Sequence, residues 1–218
     1  MKNYEMRETE TGVHIEGVPN AVKLVALQGK QAERLGHLAL HRSDLRFVLE
    51  CLAQINETTN EILREAAWRA AIVAFVKCFT GGGRRSQLHA NSVYSGNAPA
   101  KSAFEYINNL RDKHLAHDEN AYQQCHPGAI INAPGIVPKV DNIITLAISG
   151  VSLEQSAYNN LHQLATDAIR YVEGEYDRSV EGLKAALEKE EYGRLIERPS
   201  VSYRLPPASE VGRRRTGP

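Results

Sequence analysis

What this chain has little of already narrows its possible functions. Its 218 residues hold three cysteines, Cys51, Cys78 and Cys125, odd in number and far apart. That argues against a disulfide framework and for a reducing compartment. The richest apolar stretch, 66–79, is interrupted by Arg69 and Lys77. It is too short and too charged to span a bilayer. The opening residues, Met1 to Thr11, are charged and lack the apolar stretch of a secretory leader. Excess charge is missing too: 26 basic residues balance 26 acidic ones. No global positive field therefore advertises nucleic-acid binding, and any RNA contact must come from a local patch. No internal repeat is visible. A cytoplasmic protein without membrane association is expected.

What is present is ordinary globular material, 42% hydrophobic and 24% charged. The length suits one sizeable core. Residues 11–18 alternate enough to predict a short strand ended by Pro19. Apolar positions from Val22 to Leu38 favour a helix over 21–40, weakened by Gly29 and Gly36. Ser43 suits an N-cap for a second helix through Leu45, Val48, Leu52 and Ile55. A third helix starts at Thr59 or Asn60, runs to about Phe79 and is apolar around much of its circumference, which predicts a central place in a bundle. Gly81-Gly82-Gly83 stops it.

Residues 84–99 read as a mobile connection, with Pro99 near the start of the next helix. That helix carries Phe104, Ile107 and Leu110 and ends near His117. Pro127-Gly128 and Pro134-Gly135 then punctuate two short strands, 129–131 and 143–146, predicting a β-hairpin insertion at about 126–149. Ser152 with Glu154-Gln155 resembles a capping signal for a long helix to about Glu190, broken near Gly174. After Tyr192 the chain is rich in Pro, Arg and Ser without periodicity, so 193–218 is expected to be a disordered tail. The expected fold is all-α: a single antiparallel helical-bundle domain over 1–192 with a small hairpin.

The chemistry concentrates in Asn109-Leu110-Arg111-Asp112-Lys113-His114-Leu115-Ala116-His117-Asp118-Glu119. Histidine exchanges protons near neutral pH, and arginine grips phosphate through parallel hydrogen bonds. The bare spacing carries little, since Arg7/His14, Arg34/His41 and Arg84/His89 show it as well. What sets Arg111 apart is the adjoining Asp112 and the helix-end position. On a straight α-helix Arg111 and His117 lie about 120° apart, so a frayed last turn or a facing partner helix is needed to bring them to one phosphate. A helix C-terminus also favours the protonated form of His117. The same residues equally fit a solvated face of ion pairs with a half-buried His114.

This segment resembles the HEPN superfamily, specifically its abortive-infection-associated branch, in which an Arg-Asp/Asn-Lys-His-x-Ala-His segment follows an earlier Trp- and Phe-bearing helix. Trp68, Lys77-Cys78-Phe79 and Arg84-Arg85 look like that upstream element. The resemblance covers about residues 40–190. It implies a metal-independent RNA endonuclease of a bacterial toxin or phage-defence system, with no cofactor and no metal. Arg111 would hold the scissile phosphate, His117 would act as general acid or base and Asp112 would orient them. His114 would be a second proton carrier or a packing residue. The implied site forms where two protomers' motifs meet in a homodimer, and an antitoxin or other protein partner would restrain it. Attack by the ribose 2′-OH would leave a 2′,3′-cyclic phosphate. The alternative is a catalytically inactive bundle of this kind that binds a protein partner or RNA.

Other candidates are weaker. Arg84, Arg85 and Lys113 are placed to bind RNA. Gly81-Gly82-Gly83-Arg84-Arg85 lacks the Gly-Lys-Ser/Thr ending of a nucleotide loop. His37 and His41 have the spacing of helical metal ligands but no third ligand nearby, so a surface pair is expected. Arg213-Arg214-Arg215 would add only non-specific phosphate affinity. Cys51, Cys78 and Trp68 are expected in the core.

Overall fold

The apolar periodicity between residues 21 and 55 produces one helix rather than two. The computed structural model describes residues 5–9, 12–57, 60–81, 83–117, 119–202 and 205–213. Within it, α1 (Lys30–Glu57) runs straight through Ser43, the expected cap, which lies exposed on its solvent side. Leu38 and His41 before it, and Leu45 and Val48 after it, are buried. An uninterrupted buried stripe outweighs the mild helix aversion of one exposed serine. Residues 21–28 are non-helical instead, and Gly29 makes the turn into α1 with φ of +92°, a conformation that favours glycine.

The expected strand near the N-terminus is β2 (Gly12–Ile15), and β1 (Met6–Thr9) pairs antiparallel with it in the register Met6↔Ile15 and Thr9↔Gly12. Thr11 lies outside the described residues. The chain packs as two compact units. One comprises Met1–Ser43, Gly81–Gln87 and Ile169–Pro218; the other comprises Asp44–Thr80 and Leu88–Ala168.

The second unit is built on α2 (Glu61–Lys77). Asn60 caps it, its Oδ1 accepting from the Leu63 N–H at 3.1 Å; the alternative start at Thr59 and the middle glycine of the triplet, Gly82, fall outside the described residues. Trp68, Ala71, Ile72, Phe75 and Val76 are buried, as is Cys78 just beyond the helix. Phe79 sits at the centre of an aromatic cluster, its ring 5.1 Å from Phe75, 6.0 Å from Tyr94 and 4.8 Å from Phe104. The stretch 84–99 is not a loose connection. It contains α3 (Ala90–Val93) and buries Leu88 and Tyr94, whose hydroxyl donates to the Leu164 carbonyl at 3.0 Å.

Asn97 caps α4 (Ala98–Leu110) by accepting from the Ala100 N–H at 3.0 Å, with Pro99 in the first turn. The hairpin is as expected in place and longer in extent: β3 (Gln123–Ile131) pairs antiparallel with β4 (Val140–Ser149). Helix α5 (Gln155–Leu187) runs unbroken past Gly174. One interior glycine costs about 1 kcal/mol, too little to break a helix anchored by buried Leu161, Leu164, Ala165, Ala168 and Val172. Ser152 does not act as the expected cap; it is buried, and its Oγ accepts from the Trp68 indole N–H at 3.2 Å.

The residues after Glu191 depart most from expectation. They form α6 (Tyr192–Glu197) and a 3₁₀ turn (Ala208–Glu210). Between these, Ser200 bridges Val25, the Ala26 N–H donates to the Pro199 carbonyl at 2.7 Å, and the Val201 N–H donates to Leu24 at 2.9 Å. Lys23 Nζ also reaches the Ile196 carbonyl at 2.6 Å. The stretch to Val201 is thus tied down by main-chain bonds, to which side-chain composition is blind. Of the arginine triplet, Arg214 and Arg215 lie outside the described residues. The described molecule is mostly helical, with two small two-stranded antiparallel sheets.

Candidate functional site

Helix α4 buries Ile107 and Leu110 on one face, which fixes how the following residues leave it. The sequence expectation carried this helix to His117. Instead the α-winding stops at Leu110 and Arg111–Ala116 form a single π-helical segment. Single π turns often mark functional sites. His117 itself ends the turn in a non-helical conformation, with φ of −128° and ψ of −6°, and is exposed.

Arg111 Nη1 donates to Asp112 Oδ1 at 2.5 Å, and Asn108 Nδ2 donates to Asp112 Oδ2 at 3.3 Å. Both carboxylate oxygens are therefore held, one from the α-helix and one from the guanidinium. The side chain of Arg111 remains 35% exposed, and Asp112 is its hydrogen-bond partner among the described residues. With five N–H donors in the fork, the guanidinium keeps donors for an incoming anion. The carboxylate orients the arginine without burying it.

Lys113 is engaged differently. Its ammonium pairs with Glu119, and the Glu119 N–H donates to the Lys113 carbonyl at 2.7 Å. That hydrogen bond and ion pair raise the Lys113 ammonium above its ordinary value and hold the Glu119 carboxyl below its own, His117 adding to the latter effect. This clasp closes the chain after the π turn and neutralises a residue expected to bind RNA.

His114 is half-buried. Its ring packs 5.4 Å from that of Tyr122 at 49°, and its Nδ1 is buried without a hydrogen-bond partner among the described residues. Tyr122 stands at the root of the hairpin and shares a hydrogen bond with Tyr106. Burial first, then Tyr122 and the charge of Glu154, push the Tyr106 phenol up to about 12. Of the two roles open to His114, packing is the one this setting favours.

Of the motif, Arg111, Asp112 and His114 lie on the π segment and His117 at its end; the hydrogen bond that joins two of them is Arg111–Asp112. Arg84 and Arg85 belong to the other unit. Asn108 lay outside the stretch that the sequence singled out, and the pairing of Glu119, its last residue, with Lys113 was not foreseen. Asn108 was detectable, since an amide four residues before an aspartate on a helix is a pairing signal. Glu119 had no helical spacing to reveal it.

His37 and His41 are not the expected surface pair. Both are buried, and both address one residue of their own unit. The Ser86 N–H donates to His37 Nδ1 at 3.3 Å, with Ser86 Oγ 3.1 Å from the same nitrogen. His41 Nε2 donates to the Ser86 carbonyl at 2.7 Å. The two rings pin a loop. Among the described residues no group of three or more His, Cys, Asp or Glu is placed to hold a metal ion. Cys51 and Cys78 are buried as expected, while Cys125 is exposed on β3. Burial, helped by Glu50, pushes the Cys51 thiol up, which leaves it unreactive.

The first unit also contains a cavity of about 570 Å³ lined by Leu27, Leu35, Leu183, Leu187, Tyr192 and Leu195, none of them in the motif. No helix among the described residues is long and apolar enough to cross a membrane. Comparison with family models, with curated proteins and with solved structures returns no match to this chain.

Proposed function

We propose that this chain is a HEPN-like helical bundle acting as a metal-independent RNA endonuclease, in a bacterial toxin or phage-defence role. The observation that carries the reading is the π turn. It presents Arg111, steadied by a carboxylate that is itself held at both oxygens, and it ends in an exposed His117. Arg111 binds the scissile phosphate and offsets the charge that grows on its oxygens. A base takes the proton of the ribose 2′-OH, the 2′-oxygen bonds to phosphorus and the bond to the 5′-oxygen breaks. An acid then protonates that leaving oxygen. His117 supplies one of these proton transfers. The second comes from the motif of a second copy in a homodimer, which is how the resemblance completes the site.

Cleavage of a mixed RNA pool in EDTA, with product ends mapped, tests this reading. Cyclic-phosphate ends from the native chain, reduced about 10²-fold or more in Arg111→Ala and His117→Ala, support it. Equal background from all three chains defeats it.

One observation favours the second reading, a catalytically silent bundle that binds a protein or RNA. Pairing of Arg111 with Asp112 and of Lys113 with Glu119 leaves these four ionised side chains without net charge. Under that reading RNA products are absent, and Glu119→Gln, which releases Lys113, changes RNA retention but yields no cleavage.

A further inference from the structure

The cavity in the first unit is a feature that the functional reading does not use. Its walls come from four segments of that unit: Leu27 before α1, Leu35 on α1, Val180, Leu183 and Leu187 on α5, and Leu195 on α6. All six side chains are aliphatic and half-buried. Protein interiors pack densely, with few voids larger than a water molecule. A cavity of about 570 Å³ instead has the size of a small-molecule site, about 300–1,000 Å³. Its outer wall is fixed by polar bonds. Lys23 Nζ donates to the Ile196 carbonyl at 2.6 Å and the Ala26 N–H to the Pro199 carbonyl at 2.7 Å, so α6 is placed without the leucines having to fill the space beneath it. On α5, Val180, Leu183 and Leu187 follow at i, i+3 and i+7, an aliphatic stripe about 10 Å long.

The rim carries charges of both signs. The Glu188 N–H donates to the Lys184 carbonyl at 3.0 Å, so Glu188 stands one helical turn beyond Lys184. Both residues line the cavity and are exposed. Neither side chain takes part in a hydrogen bond or ion pair among the described residues. Glu190, also on the rim, is already held at both oxygens by Arg198 Nη2, each at 2.8 Å.

We propose that this cavity binds an unbranched aliphatic molecule whose uncharged head both donates and accepts hydrogen bonds, such as a primary alcohol. The walls select the chain: apolar cavities take apolar guests, and enclosure by four segments suits a small molecule rather than the face of a folded partner. The rim selects the head. The Lys184 ammonium only donates and the Glu188 carboxylate only accepts, so one hydroxyl answers both. A carboxylate head gains Lys184 but meets Glu188 as a like charge, and an ammonium head does the reverse; repulsion of this kind is what discriminates between ligands of similar shape. The proposal does not rest on the nuclease reading, because the cavity and the π turn belong to different units.

The test titrates the full chain with N-phenyl-1-naphthylamine, an uncharged dye that fluoresces in apolar sites, and then displaces the dye at pH 7 with 1-octanol, octanoate or octylamine. Expected are dye uptake and displacement by 1-octanol at concentrations about threefold or more below those of the other two. Substitutions at the two exposed rim positions read the head directly. Glu188→Gln should bring octanoate ahead of 1-octanol, and Lys184→Gln should do the same for octylamine. Leu183→Trp fills the cavity from α5 and Leu35→Phe from α1; each should abolish dye uptake, with helical circular dichroism confirming that the variant folds. A native chain that takes up no dye, or dye that 1-octanol leaves in place, overturns the proposal. So does a native chain in which octanoate or octylamine leads or all three compete equally, since the rim would then not choose the head. Undiminished dye uptake by the folded filling variants also refutes it, by placing the dye outside this cavity. RNA cleavage enters none of these measurements, so failure here and failure of the nuclease reading are told apart.

Discussion

The interior of the second unit and the hairpin that projects from the same unit use similar aliphatic residues to opposite effect. In α2, Ala71, Ile72, Phe75 and Val76 are buried. In β4, Val140, Ile143, Ile144, Leu146 and Ile148 are exposed. The difference lies in what each pattern faces. Helical spacing on α2 lays its apolar residues against neighbours of the same unit, and the buried polar ends find partners, as Trp68 does with Ser152. The strands have only each other. Hydrophobic character alone therefore predicts neither burial nor stability; the supply of a partner surface decides both.

Replacing Trp68 should have the largest effect, because it removes the biggest fully buried side chain and orphans the Ser152 hydroxyl. Trp68→Ala is expected to lose about 3–5 kcal/mol, read from urea unfolding. Gly150→Ala probes the joint between the two regions. A Cβ there would lie 2.8 Å from Tyr122 Cδ1 and 3.4 Å from its Cα, so the ring that packs on His114 must shift. A cost of about 1–3 kcal/mol is expected, with altered exchange of the amides of the π turn by NMR. A loss as large as that of Trp68→Ala would mean that the hairpin root belongs energetically to the core.

Tyr94 tests the core's polar fastening. Its hydroxyl donates to Leu164 from a buried position, and burial, with Asp167 and Cys78 adding to it, raises the phenol far above its ordinary value. The neutral form is the one the fold prefers. Its stabilisation is complete below the ordinary tyrosine value near 10 and is lost as pH rises above it. The urea midpoint should accordingly fall above pH 10, more steeply for the native chain than for Tyr94→Phe. At neutral pH that variant loses only about 1 kcal/mol. Parallel pH curves for the two chains would show that other groups control alkaline unfolding.

How much of this could be read from residues depends on how local each cause is. Helix α2 was legible because its cap, Asn60, and its apolar circumference are contiguous. The hairpin was legible because Pro134-Gly135 marks its turn, although Pro127-Gly128, read as punctuation, lies inside β3 and pairs with Thr145 and Ile144. The fusion of two predicted helices into α1 was not, since an exposed serine suits either a cap or a mid-helix position. The order after Glu191 was hidden because it rests on main-chain bonds to residues 23–26. The burial of His37 and His41 was hidden for a similar reason: their partner, Ser86, lies 49 and 45 residues away in sequence. At the site, the Arg-Asp-Lys-His-x-Ala-His string was visible as chemistry. The π winding that sets its geometry was not, since it depends on how Leu110 and Ile107 seat the end of α4.

The smallest expected effect is the sharpest test of the opening contrast. Leu146 is 60% exposed, so at low concentration Leu146→Ser should change stability by less than about 0.5 kcal/mol. The buried Leu164, with the same side chain, should cost about 2–5 kcal/mol when cut to alanine. Urea unfolding of the two variants beside the native chain checks both values. A penalty for Leu146→Ser as large as that for Leu164→Ala would place Leu146 against its own chain in solution, and the exposed ribbon would then be part of the core.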